Sequence, residues 1–171
     1  MTYSVKEIFY TVQGEGVHTG RASVFCRFTG CNLWSGKEED RKIAKCTFCD
    51  TDFVGTDGVG GGKFVNADAL AQSILSYWPS DTRPFIVLTG GEPMLQVDKY
   101  LINELKKYDC EIAIETNGTI KVPREIDWIC VSPKAGNNII QTNGDELKLV
   151  YPQKNIQPSQ YEMYAFKNFS L

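Results

Sequence analysis

One histidine, His18, is all that the 171 residues offer to chemistry that needs an imidazole. A serine–histidine–aspartate hydrolase would have to be built on it, and no G-x-S-x-G nucleophile elbow is present. No run approaches the roughly 18 apolar residues that a membrane span requires. There is no excess of positive charge: 18 Lys and Arg against 21 Asp and Glu leave a net charge of −3, so nothing attracts a nucleic-acid backbone. The opening MTYSVKEIF lacks a basic stretch followed by an apolar one, so no secretory signal is visible. Internal repeats, low-complexity tails and long linkers are missing too. An apolar content of 42% over this length suffices for one domain, residues 1–171, with its own core. These absences point to a soluble cytoplasmic protein, where six cysteines are ligands more readily than disulfides.

Three of those cysteines form a pattern, Cys31-x₁₄-Cys46-x₂-Cys49, and the pair lies in the stretch KCTFCDTDF. Thiolates bind both zinc and iron well. A closed zinc site needs four protein ligands, and His18 is the candidate for the fourth. Three thiolates alone suit a four-iron cluster with one iron left open. A thioredoxin-like redox pair fits poorly, because Cys46 follows no short strand and starts no evident helix. Cys26, Cys110 and Cys130 lie in or beside apolar strands, where a free cysteine behaves as a small core residue.

The chain alternates between two periodicities. Tyr3 onward reads as a strand running into the glycine-rich turn TVQGEG, and 22–28 as a second strand. Ser23, Phe25 and Arg27 share one face of it; Val24, Cys26 and Phe28 share the other. Residues 29–53 form a long loop, and GTDGVGGGK reads as a flexible linker. Its Lys63 is followed by Phe64, not Ser or Thr, so it is no phosphate loop. Asn66 caps a predicted helix through Trp78. Strands are expected at 85–89, 111–115, 128–131 and 146–150, with helices at 97–107 and within 158–167. Strands alternating with helices predict a parallel α/β sheet or partial barrel, in which chemistry sits at the carboxyl ends of the strands. Cys31, Thr89-Gly90-Gly91-Glu92-Pro93, Glu115-Thr116-Asn117-Gly118 and Ser132-Pro133-Lys134 follow four of the strands. Glycines directly after a strand let a ligand approach the backbone, and Glu92 would meet an ammonium there.

A three-cysteine loop after one strand and GGEP after the next resemble the radical S-adenosylmethionine (SAM) superfamily. The long gap between the first two cysteines resembles the 7-carboxy-7-deazaguanine synthases within it. TVQGEG (11–16), FCRFTGCNLW (25–34), FCDTDFVGT (48–56), LTGGEP (88–93), ETNGT (115–119) and SPK (132–134) match that family in order. The resemblance implies an α/β fold, an incomplete TIM-like barrel with an abridged radical SAM core. It implies that Cys31, Cys46 and Cys49 hold a [4Fe–4S] cluster whose open iron chelates SAM. By the same resemblance Phe48, Cys49, Asp50, Gly91, Glu92, Glu115, Ser132, Pro133 and Lys134 bind SAM. Val12, Gln13, Gly14, Glu15 and Thr89 contact the substrate, 6-carboxy-5,6,7,8-tetrahydropterin, and Arg27 pairs with its carboxylate. Mg²⁺ goes to Thr51, with Asp50 nearby. A homodimer and a flavodoxin-type electron donor are implied as well. Family members continue beyond the position of Leu171 into a segment that completes both sites, so the C-terminus reads as shortened. Two other readings stay open: an activating enzyme for a glycyl-radical protein, and a zinc-stabilised binding module.

Overall fold

A computed structural model describes residues 2–171. Strand β1 (Tyr3–Val12) turns antiparallel into β2 (Ala22–Phe28). There follow β3 (Gly62–Phe64), helix α1 (Ala67–Leu75), β4 (Phe85–Gly90), helix α2 (Lys99–Lys106), β5 (Glu111–Thr116), β6 (Trp128–Val131), β7 (Asn143–Lys148) and β8 (Ala165–Ser170). All join one sheet in the order β3-β1-β2-β4-β5-β6-β7-β8. From β2 to β8 every neighbouring pair is parallel. β3 and β8 stay at its two ends, so the barrel is partial, as expected.

Side-chain alternation gives the sheet two unlike faces. Val24, Cys26 and Phe28 of β2, Ile86 and Leu88 of β4, and Ile112 and Ile114 of β5 pack against Leu70 and Ile74 of α1 and Leu101, Ile102 and Leu105 of α2. Each such buried aliphatic or aromatic side chain contributes about 1.5–3 kcal/mol. Both helices start on a cap: Asn66 Oδ1 accepts from the Ala69 amide at 2.8 Å, and Asp98 Oδ1 from Leu101 at 3.0 Å. The opposite face carries Phe25 and Arg27 of β2, which register with Val87 and Thr89 of β4.

Three expectations need correction. The segment 158–167 is not a helix. Pro158–Tyr161 makes a single 3₁₀ turn, and the chain then joins the sheet as β8 with only Phe166 well buried. The glycine-rich stretch is not a flexible linker either. The Ile8 amide donates to Val59 O at 2.7 Å, Gly58 to Lys6 O at 3.0 Å, and Gly62–Phe64 pairs with β1. A Cβ on Gly61 would stand 2.1 Å from Lys6 O, so its glycine serves close backbone packing. Within the long loop 29–53, Glu38–Ile43 folds into a 3₁₀ turn.

Candidate active site

A cleft of about 570 Å³ opens at the carboxyl ends of the parallel strands, a size typical of small-molecule sites. Cys31, Cys46 and Cys49 all line it. Burial pushes the Cys31 thiol up. The neighbouring thiols of Cys46 and Cys49 split each other, Cys46 being raised and Cys49 lowered, with Thr51 adding to the pull on Cys49. Cys49 is thus the more acidic thiol of the pair.

The Gly90-Gly91-Glu92-Pro93 turn packs against the cysteine loop, and Gly90 and Gly91 line the cleft. The Glu92 amide donates to Gly30 O at 2.9 Å, and Gly91 to Phe28 O at 3.3 Å. Added Cβ atoms would lie 2.4 Å from Phe28 O at Gly90, whose φ is +145°, and 2.1 Å from Gly30 O at Gly91. The Glu92 carboxylate is wholly buried and turned into the protein. It accepts from Thr116 Oγ1 (2.7 Å), the Asn117 amide (2.8 Å) and the Met94 amide (2.9 Å). Burial raises its pKa against the pull of those donors. Asn117 Nδ2 in turn donates to Asn32 Oδ1 at 2.9 Å, beside Cys31. The motifs after β4 and β5 thus brace the first cysteine.

The remaining residues share this cleft. Phe48, Asp50, Thr51, Gly91, Ser132 and Lys134 line it. Lys134 Nζ donates to Ser132 O and Oγ, both at 2.7 Å, and burial lowers its pKa. Pro133 lies behind the wall; its carbonyl accepts from Gln153 Nε2 at 3.3 Å. Val12, Gln13, Gly14, Glu15, Arg27, Thr89 and Glu115 line it as well. Arg27 Nε donates to Glu7 Oε1 at 2.7 Å, while its two Nη groups have no hydrogen-bond partner among the described residues.

Lys148 was not singled out from the sequence, yet it ties Glu15 and Glu115 together in the cleft. Its Nζ donates to Glu15 Oε2 at 2.9 Å and Glu115 Oε1 at 3.3 Å, and Gln13 Nε2 donates to the same Glu115 oxygen at 3.0 Å. Burial pushes the Lys148 pKa down, but the two carboxylates outweigh it and the net shift is upward; Glu15 is correspondingly lowered. Lys148→Met is expected to cost roughly 1.5–3 kcal/mol. The raised lysine contributes fully below about pH 10 and loses its contribution as pH rises through its folded pKa. The lowered Glu15 contributes fully above about pH 5 and loses it as pH falls. Urea unfolding should show a constant gap between the two proteins from about pH 5 to 10; a gap that widens in acid would contradict the pairing.

His18 stands apart. It packs edge-on against Phe85 (5.0 Å between ring centroids) and Trp128 (4.3 Å), the first residues of β4 and β6 and so at the opposite end of the strands from the cysteines. Among the described residues, no three His, Cys, Asp or Glu side chains converge on one metal ion. A mononuclear zinc site with His18 is not assembled. Three soft thiol donors lining one cleft are the donor set that a four-iron cluster with one open iron would take.

A family model of the radical SAM superfamily matches residues 43–148. A 7-carboxy-7-deazaguanine synthase of Nitratidesulfovibrio vulgaris is 60% identical over 170 residues, spanning 97% of this chain and 79% of that protein. One from Bradyrhizobium diazoefficiens is 59% identical over 172 residues, spanning 100% and 82%. The crystal structure of QueE from Escherichia coli is similar with a TM-score of 0.66 at 26% identity, over 87% of this chain and 71% of that one.

Proposed function

Since the chain belongs to the 7-carboxy-7-deazaguanine synthase family of the radical SAM superfamily, we propose that its cleft turns 6-carboxy-5,6,7,8-tetrahydropterin into 7-carboxy-7-deazaguanine with loss of ammonia. The protein is then a carbon–nitrogen lyase of queuosine and 7-deazapurine formation, dependent on a [4Fe–4S] cluster and SAM. The observation that carries this reading is one cleft lined together by the three cysteines, residues 11–15 of TVQGEG, and Arg27.

When bound, the cluster and SAM supply the electron and the radical that starts the ring contraction. The chain's own residues bind, orient and exclude water. Cys31, Cys46 and Cys49 hold the cluster, and the lowered pKa of Cys49 favours ligation. Gly91 and Glu92 form the turn whose backbone receives the SAM ammonium; the Glu92 carboxylate is engaged elsewhere and acts by holding that turn in place. Glu115, Ser132 and Lys134 serve the ribose and the SAM carboxylate, Phe48 the adenine, and Asp50 completes the SAM site with Pro133 buried behind it. Arg27 takes the pterin carboxylate as a fork. Support for that role comes from its unpartnered Nη groups, aimed by the Glu7 contact. Val12, Gln13, Gly14, Glu15 and Thr89 enclose the pterin.

Thr51 would hold Mg²⁺ with Asp50 nearby, both being oxygen donors that line the cleft. Asp52 is already paired with Lys6 at 2.8 Å. No helix among the described residues is long and apolar enough to cross a membrane, and all six cysteines are free, which suits a reducing cytoplasm. A homodimer served by a flavodoxin-type electron donor completes the proposal.

Anaerobic purification followed by iron, sulfide and zinc analysis is the direct test. The expected result is iron and sulfide with SAM-dependent conversion of the carboxypterin, and Cys49→Ser should abolish both while the protein stays folded. One zinc per chain without sulfide would overturn the reading.

A further inference from the structure

Of the fourteen residues between Cys31 and Cys46, only Asn32 has a part in the contacts above. Their 3₁₀ turn carries Arg41, whose guanidinium reaches back across the cysteine loop. Nη1 donates to the carbonyl oxygens of Thr47 and Cys49, each at 3.0 Å. The guanidinium carbon sits 4.0 Å from the ring centroid of Trp34. That ring is itself fixed: it is buried, meets Phe53 edge-on at 5.6 Å, and donates from Nε1 to Lys37 O at 3.1 Å. Glu38 grips the remaining edge of the fork, accepting from Nε at 2.7 Å and from Nη2. An ordinary surface Arg–Glu pair would end there. Here one cation is also shared between two backbone carbonyls of the ligand loop and an aromatic face. The thiols of Cys46 and Cys49 are close enough to feel its charge.

We propose that Arg41 is a positioning residue of the cluster site, a clamp furnished by the insert between the first two cysteines. It holds the Cys46–Cys49 turn in its ligating shape and keeps a fixed positive charge beside the bound cluster. The proposal rests on Cys31, Cys46 and Cys49 being the cluster ligands. Two consequences follow from physics. A loop ordered before ligation loses less entropy on binding, so the cluster is held more tightly. A neighbouring cation offsets the charge added when the cluster accepts an electron, so its reduction potential rises. Arginine suits both tasks, being always charged and planar, whereas lysine offers only a point charge.

Wild-type protein, Arg41→Gln and Arg41→Lys would be reconstituted anaerobically with ferrous iron and sulfide. Iron release to a chelator and the midpoint potential from an EPR-monitored titration would then be measured, with circular dichroism to confirm folding. Arg41→Gln is expected to release iron several-fold faster and to shift the potential in the negative direction. Arg41→Lys keeps the charge but not the two-carbonyl grip, so it should release iron faster at a near wild-type potential. If Arg41→Gln fails to fold, Arg41→Lys decides: wild-type release would overturn the clamp, and a negative shift despite the retained charge would overturn the electrostatic role. Wild-type protein that takes up no iron and sulfide would instead overturn the cluster reading itself.

Discussion

Replacing Gly91 by alanine will deprive the protein of its cluster while leaving the sheet folded, and valine will do little worse. The offending atom is the Cβ, which both residues carry. It would stand 2.1 Å from Gly30 O and 3.0 Å from Cys31 Cβ. The Gly30 carbonyl is not free to swing aside, because it accepts from the Glu92 amide at 2.9 Å. The turn and the cysteine loop must therefore separate. Overpacking of this kind costs about 1–3 kcal/mol. That is tolerable for a domain of ordinary stability, about 5–15 kcal/mol. The functional penalty is larger, since moving a site group by ~1 Å can cost on the order of a hundredfold in rate. Iron content and turnover should collapse together while circular dichroism remains that of the wild type. Full iron loading in Gly91→Ala would show that the contact with Cys31 is dispensable.

Glu92→Ala should be the most destabilising single change at the site. It would leave three donors, on Met94, Thr116 and Asn117, without their acceptor inside the protein. Each buried unsatisfied group costs about 1–3 kcal/mol, so a total loss of roughly 3 kcal/mol or more is expected, with a fall in melting temperature of about 2–4 °C per kcal/mol. Glu92→Gln provides the graded comparison. Its amide oxygen can still accept from Thr116 and Met94, but its NH₂ would face the Asn117 amide, one donor against another. It should lose about half as much. Acid does not imitate either variant: burial already raises the Glu92 pKa, so protonation at low pH relieves the cost of its charge. Thermal unfolding of the three proteins side by side would check the order, and equal stabilities would mean the carboxylate is solvated.

Much of the frame was legible beforehand. β2 spans Ala22–Phe28 and β6 Trp128–Val131, as β-propensity and period predict. Asn66 caps α1, which ends at Leu75, short of the expected Trp78. Polar and sulfur residues after four strands share one cleft, because a parallel sheet brings the carboxyl ends of its strands to one edge. β8 was illegible, since Ala165–Ser170 buries little beyond Phe166 and owes its strand form to hydrogen bonds with β7. Lys148 reads from the sequence as one more charge on a strand; nothing local reveals that it neutralises two carboxylates. Arg41 reads as one charge among many in a long loop.

The sequence by itself determined the chemistry: soft donors at a given spacing, a single histidine, and six motifs in order, all properties of residue types and local intervals. Only the tertiary structure decided who faces whom. It packed Gly91 against Gly30, turned Glu92 inward, set His18 at the far end of the strands, and left both Nη groups of Arg27 without a partner among the described residues. The physical reason is separation along the chain. Lys148 and Glu15 are 133 residues apart, and Asn117 and Asn32 are 85 apart. Such pairs come within hydrogen-bonding distance only after the sheet has closed part of the way into a barrel, and no period or propensity carries that information.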